Sequence, residues 1–176
     1  LMLRVFEACF EEVDGRPDAR GGHYRVEMLP TTCHVYFGSV TGAMPDGRKA
    51  GRPLSEGISP VQGADRRGPT AVIKSAAKMD HVKTGGTLFN LKFSPGLVNT
   101  EPGLEKWAQL VRSYFRMDGH HVQFNIVRAD TLRQAQADPE SHRDLIVRVA
   151  GYSDYFCDLS PELQEEIIAR TEHAGF

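Results

Sequence analysis

The chain has 176 residues, 40% of them hydrophobic, and a formal net charge of -2 from 21 basic and 23 acidic side chains. That length supports one domain with a real core and is short for two. The balanced charge excludes nucleic-acid or membrane-surface binding driven by net charge, and mixed charges with aromatics exclude wholesale disorder. No apolar run reaches the length of a membrane-spanning helix, and the charged opening stretch LMLRVFEACFEEV lacks a secretory cleavage site.

In residues 1–13, Met2, Phe6, Cys9, Phe10 and Val13 recur at helical spacing, and Asp14-Gly15 stops them. Opening in mid-helix at Leu1, the chain reads as a slice of something longer. Residues 14–31 are polar loop, and Cys33–Phe37 is a short apolar run that predicts a strand. Residues 38–69 are dense in glycine and proline, which forbids long helices or central strands there. An irregular segment of that length is functional or packed against something. Its glycines with Arg48, Lys49 and Arg52 could cradle a phosphate, but neither the P-loop spacing nor GxGxxG is present. The arginines therefore read as partners of carboxylates or backbone carbonyls.

Thr70–Asp80 predicts a helix through Val72, Ile73, Ala76, Ala77 and Met79, and Thr87–Phe93 a strand with Phe89, Leu91 and Phe93 alternating with Asn90 and Lys92. Asn99 or Thr100 caps a helix to about Met117, with Leu104, Trp107, Ala108, Val111, Tyr114 and Phe115 as its apolar stripe and Gly119 as its end. His121–Val127 predicts a strand with Val122, Phe124 and Ile126 on one face. Asp130 is expected to cap a short helix before Pro139, and Leu145–Val149 to form a last strand. Ser160-Pro161 opens a final helix, with Glu162 at its positive end and Leu163, Ile167, Ile168 and Thr171 inward. The alternation predicts an α/β protein.

Cys9, Cys33 and Cys157 form neither a disulfide framework nor a metal-knuckle pattern, and point to a reducing, cytoplasmic compartment. His120-His121, on opposite faces of a strand, make a poor metal site. The sharpest feature is Ile146 to Ser153, IVRVAGYS. A glycine just past a buried strand ordinarily serves a turn or a close backbone approach. It has a rarer use. Loss of a Cα hydrogen leaves a carbon radical between an amide nitrogen and a carbonyl, and both delocalise the spin. That delocalisation needs a planar Cα, where any side chain would clash with the flanking peptides. The backbone then does radical chemistry normally carried by a cofactor.

The stretch Val147 to His173 resembles the C-terminal signature of the glycyl radical enzymes, the family of pyruvate formate-lyase and of radical dehydratases and lyases. The segments Thr41–Asp80, Gly85–Pro95 and Gly119–Val127 resemble it too, in the family's order. The resemblance implies the C-terminal part of a ten-stranded α/β barrel, with residues 1–50 ending the catalytic domain and 51–176 forming the glycyl radical domain. It places the radical glycine on a loop between a strand and the last helix. Gly151 matches the radical-storing glycine, and Arg148, Tyr152 and Ser153 match its flanks, where they shape the loop. No bound cofactor or metal is implied. A separate iron–sulfur, S-adenosylmethionine-dependent activating enzyme removes the hydrogen, and the radical passes to a cysteine whose thiyl attacks a small-molecule substrate. The Gly-Cys loop carrying that cysteine has no match in this chain, so the chain alone would be inactive. Cys9, Cys33 and Cys157 read as ordinary buried cysteines.

AGYS resembles the dehydratase and lyase branch (hydroxyproline, glycerol and diol dehydratases, choline trimethylamine-lyase, isethionate sulfite-lyase) more than the formate C-acetyltransferases, which carry SGY. The alternatives are a formate C-acetyltransferase, or a spare-part protein that restores an oxygen-damaged lyase. The blocks from Thr41 to Pro95 favour a piece of a larger enzyme, which the family implies is a homodimer when full length.

Overall fold

The computed structural model describes residues 2–29 and 32–176; Leu1, Pro30, Thr31 and the Met2 side chain lie outside the described residues. The elements are α1 (Met2–Val13), α2 (Cys33–Val40), α3 (Pro69–Ala76), β1 (Asn90–Phe93), the single turn α4 (Pro95–Val98), α5 (Glu101–Arg116), β2 (Gln123–Ile126), α6 (Ala129–Ala137), β3 (Ile146–Arg148), β4 (Ser153–Tyr155), α7 (Pro161–Ala169) and β5 (Glu172–His173). Short 3-10 turns occupy Glu140–His142 and Phe156–Asp158. The architecture is mixed α/β. A parallel sheet has the order β2-β1-β5, and an antiparallel hairpin joins β3 to β4.

β1 is the hub of the parallel sheet. It pairs with β2 from Asn90↔Gln123 to Phe93↔Ile126, and with β5 through Lys92↔Glu172 and Phe93↔His173. Both of its faces are buried. Phe89, Leu91 and Phe93 point into a cluster with Val72, Ile73, Ala76, Leu110 and Tyr114, contributed by α3 and α5. Burying each such side chain contributes about 1.5–3 kcal/mol. Asn90 and Lys92, on the other face, are equally buried. Lys92 Nζ donates to the Ile167 and Ile168 carbonyls at 3.2 and 2.8 Å, so a strand lysine stoppers the negative C-terminus of α7. Burial pulls its amine down to about 8, against the charge of Glu172. A second cluster unites α6, α7 and β3 through Leu132, Val147, Val149, Phe156, Leu163 and Ile167.

Thr100 caps α5 by accepting from the Gly103 N–H, and Ser160 caps α7 by accepting from Leu163, with Pro161 in the first turn. Several expectations are corrected. Cys33–Phe37 is helical, because a short apolar run carries no periodicity of its own. Asp130 lies inside the first turn of α6, whose N-cap is Arg128. Leu104 and Phe115 are about half exposed, and Gly103, Leu110 and Tyr114 form the buried stripe of α5. Thr171 follows α7 and bonds Asp65 instead of lining a helix face. Cys9 and Cys33 are exposed and Cys157 is half-buried, so none is a fully buried core thiol. The chain also does not run directly from strand to loop to last helix: β4 and a 3-10 turn intervene. Among the described residues no helix is long and apolar enough to cross a membrane.

The glycine-rich segment lacks helix and strand from Thr41 to Gly68, as its composition predicts. The buried Arg48 organises it, donating to the carbonyls of Thr41 (3.2 Å), Gly42 (2.6 Å), Lys49 (3.2 Å) and Arg52. A guanidinium so engaged is a structural staple and not a phosphate ligand.

Candidate functional site: the glycine turn between β3 and β4

Gly151 is the third residue of the tight turn Val149–Tyr152, which joins paired strands with Ile146 opposite Tyr155 and Arg148 opposite Ser153. Its φ is +80°, a conformation open to glycine and costly to residues with a Cβ. The Val149 N–H donates to the Tyr152 carbonyl at 2.9 Å and closes the turn. Val149 and Ala150 are fully buried, whereas Gly151 and Tyr152 are exposed. The turn therefore presents its glycine at the surface of the described chain on a completely anchored strand.

Space around Gly151 is set by Leu88. A Cβ added at Gly151 would lie 2.9 Å from Leu88 Cδ1 and 4.0 Å from Leu29 Cδ1. Leu88, just before β1, is held by main chain on two sides: its N–H donates to Met28 at 3.2 Å and its carbonyl accepts from Ile58 at 2.9 Å. Gly57 allows that approach, since a Cβ there would collide with the Leu88 carbonyl.

Polar side chains from β1, β2 and the residue just after α7 anchor the backbone leading into the turn. Asn125 of β2 acts as a surrogate strand partner for Arg148, accepting from its N–H at 2.8 Å and donating to its carbonyl at 2.9 Å. The Arg148 guanidinium donates from Nε to Gln123 at 2.8 Å and from one terminal nitrogen to the Ser153 hydroxyl at 3.1 Å, lacing the two strands together. The Val149 carbonyl accepts from Arg170 at 2.9 Å and from Asn90 at 3.4 Å. Arg170 also reaches the Arg148 carbonyl at 3.3 Å and pairs with Glu166 at 2.6 Å. Glu166 accepts from Gln62 at 2.7 Å and has His34 Nε2 at 3.5 Å. Burial alone would push the Glu166 carboxyl up, but the His34 contact and the Arg170 charge outweigh it and hold it at about 2. Glu56, bonded to Asn90 and to Ser59 at 3.1 Å, is raised by burial against the same Arg170 charge.

Of the residues singled out in sequence, Gly151 sits in the turn, Arg148 and Ser153 lace its strands, and Tyr152 is its exposed flank, with burial and Asp154 raising its hydroxyl. Cys157 is packed behind the hairpin, its thiol against the His142 carbonyl at 3.4 Å, and burial raises it, so it is a poor thiolate. Asn90, Gln123, Asn125, Glu166 and Arg170 were not foreseen. For Gln123 and Asn125 the polar half of the QFNI alternation is the one sequence signal; it marks a buried polar face and not a solvated one. Among the described residues no group of three or more His, Cys, Asp or Glu side chains is arranged to hold a metal ion. An open groove of about 990 Å³, lined by Leu54, Ile58, Val61, Arg67 and Met79 among others, does not include Gly151.

The family model described as "Glycine radical" matches residues 54–157, which contain this turn. Trans-4-hydroxy-L-proline dehydratase of Clostridioides difficile is 60% identical over 172 residues, covering 98% of this chain and 22% of that protein. Isethionate sulfite-lyase of Oleidesulfovibrio alaskensis is 47% identical over 156 residues, covering 87% of this chain and 19% of the lyase. The crystal structure of the C. difficile hydroxyproline dehydratase, with trans-4-hydroxy-L-proline bound, superposes with a TM-score of 0.94 at 59% identity, over 99% of this chain and 22% of that one. The chain thus spans about a fifth of the length of the curated relatives it matches.

Proposed function

This chain belongs to the glycyl radical family, and from that premise we propose that Gly151 stores a backbone radical for a dehydratase or lyase. The observation that carries the reading is the glycine itself: accessible, at φ +80°, on a rigid strand end, inside the matched region. A hydrogen atom leaves Gly151 Cα by homolysis, taken by an S-adenosylmethionine-dependent activating enzyme. The unpaired electron spreads over the flanking amide nitrogen and carbonyl. For turnover, Gly151 takes back a hydrogen atom from a cysteine thiol, leaving a thiyl. The thiyl takes a hydrogen atom from the substrate, the adjacent C–X bond breaks, and the hydrogen atom is returned to the product radical. Cys157 is packed behind the hairpin on the same segment as the glycine, so in this reading the thiol belongs to another part of the enzyme.

The dehydratase and lyase branch is supported by relatives that are hydroxyproline dehydratase, isethionate sulfite-lyase and (2S)-3-sulfopropanediol dehydratase. In this reading the parallel strands belong to a larger barrel, and the working enzyme is a cytoplasmic homodimer. The test is anaerobic activation of the complete protein with its activating enzyme, followed by trans-4-hydroxy-L-proline, glycerol, propane-1,2-diol and isethionate in turn. Turnover of one of these by the wild type and none by Gly151→Ala is expected. Formation of acetyl groups from pyruvate and coenzyme A instead would move the protein to the acetyltransferase class.

A further inference from the structure

We infer that Arg170 is a positioning residue for the radical turn, an assignment that rests on Gly151 being the radical site. Arg170 follows the last residue of α7 and lies 19 positions beyond Gly151, yet its guanidinium grips the two carbonyls that precede the turn. Its orientation is fixed from behind. Nε and one terminal nitrogen bind both Glu166 oxygens at 2.6–3.1 Å, and Gln62 and His34 hold that carboxylate in turn. The planar fork therefore has one way to face, and its remaining donors meet Val149 and Arg148.

The arrangement does something that an anchor for α7 would not need. In a free two-residue hairpin the Val149 carbonyl would be available to the turn's own N–H groups; here it is directed to Arg170 and Asn90. That fixes the peptide plane at the entry to Ala150 and, through one rotatable residue, the place of Gly151 Cα. A stored radical survives by staying where it was put. Holding the turn by its carbonyls achieves this from behind: the side chain beside Gly151 is the aliphatic Leu88, and the arginine brings no hydrogen atom of its own to the spin.

Lysine separates positioning from mere stability. In Arg170→Lys one ammonium can still pair with Glu166, but a single nitrogen cannot also span the Arg148 and Val149 carbonyls. The double change Arg170→Met/Glu166→Leu removes both charges together and leaves neither unpaired. Each variant is made in the complete protein, activated without oxygen, separated from its activator and followed by electron paramagnetic resonance. Wild type must first show a glycyl doublet that narrows when glycine carries deuterium; without it the Gly151 reading fails, whatever Arg170 does. Given that doublet, the radical of both variants is expected to decay at least tenfold faster, the loss from one charge-assisted bond to the main chain. The thermal midpoint of Arg170→Lys should stay close to wild type, and Arg170→Gln, which takes the guanidinium cation away from the buried Glu166 carboxylate, should lose both midpoint and lifetime. Wild-type decay in either folded variant overturns the assignment.

Discussion

Asn125 and Arg170 share one acceptor, the Arg148 carbonyl, at 2.9 and 3.3 Å. Asn125 is in addition the acceptor for the Arg148 N–H at 2.8 Å. Asn125→Leu preserves bulk and removes both bonds. The N–H is left without a partner, which costs about 1–3 kcal/mol. The carbonyl keeps Arg170 and loses about 1 kcal/mol. Opening of the β3–β4 hairpin should therefore become easier by roughly 2–4 kcal/mol, or about 30- to 800-fold in population. Arg170→Lys releases the same carbonyl from its other side, so the double variant strands it altogether. Its cost should exceed the sum of the single costs by about 1 kcal/mol or more. Native-state amide exchange of the peptide spanning residues 146–155, in the complete protein, reads the opening directly. Costs that add to within about 0.5 kcal/mol would show that the two side chains do not act on one strand, and would refute the anchoring account.

Gly151→Ala should fold. The left-handed conformation costs alanine about 1–2 kcal/mol, and the Leu88 methyl 2.9 Å away can yield; unfolding measurements should show that modest loss while the radical signal disappears. The Glu166 carboxyl, held at about 2 against a usual value near 4.5, binds fewer protons folded than unfolded. Its stabilisation of roughly 3 kcal/mol is fully present above pH 4.5 and is lost as pH falls toward 2, so an acid titration of Glu166→Gln should be flatter over that window than wild type. Lys92, lowered to about 8, acts in the same sense at higher pH: the folded state holds fewer protons than the unfolded one, so stability should rise between pH 8 and 10.5, and that rise should vanish in Lys92→Met. Air admitted after activation should cut the chain at Gly151, and mass spectrometry should find a new terminus there; an intact peptide spanning Gly151 would contradict radical storage at that residue.

Much of the fold is local, and local signals carried it. The Thr100 and Ser160 caps, the proline after Ser160 and the alternation of Phe89, Leu91 and Phe93 each specify geometry through neighbouring residues. CHVYF misleads because a five-residue, mostly apolar run suits either period; α2 is kept helical by tertiary contact, including Gly38, where a Cβ would collide with the Arg52 carbonyl. β4 escapes notice because Ser153-Asp154-Tyr155 is short, polar and mostly exposed, and takes its form from pairing with β3. The site divides in the same way. Gly151 stands out within eight residues of sequence. Its supports do not: Asn125, Asn90 and Arg170 reach the strand from 23, 59 and 21 positions away, and each residue type alone would ordinarily face solvent. Only burial of the second face of β1 and β2 reveals what they are for.

The central claim is that Gly151 Cα holds the radical. Electron paramagnetic resonance of the anaerobically activated complete protein tests it, with samples grown on ordinary glycine and on glycine deuterated at Cα. A doublet that collapses to a narrow line on deuteration, and is missing from Gly151→Ala, is the predicted result. A signal that keeps its splitting under deuteration, or persists in Gly151→Ala, contradicts the account.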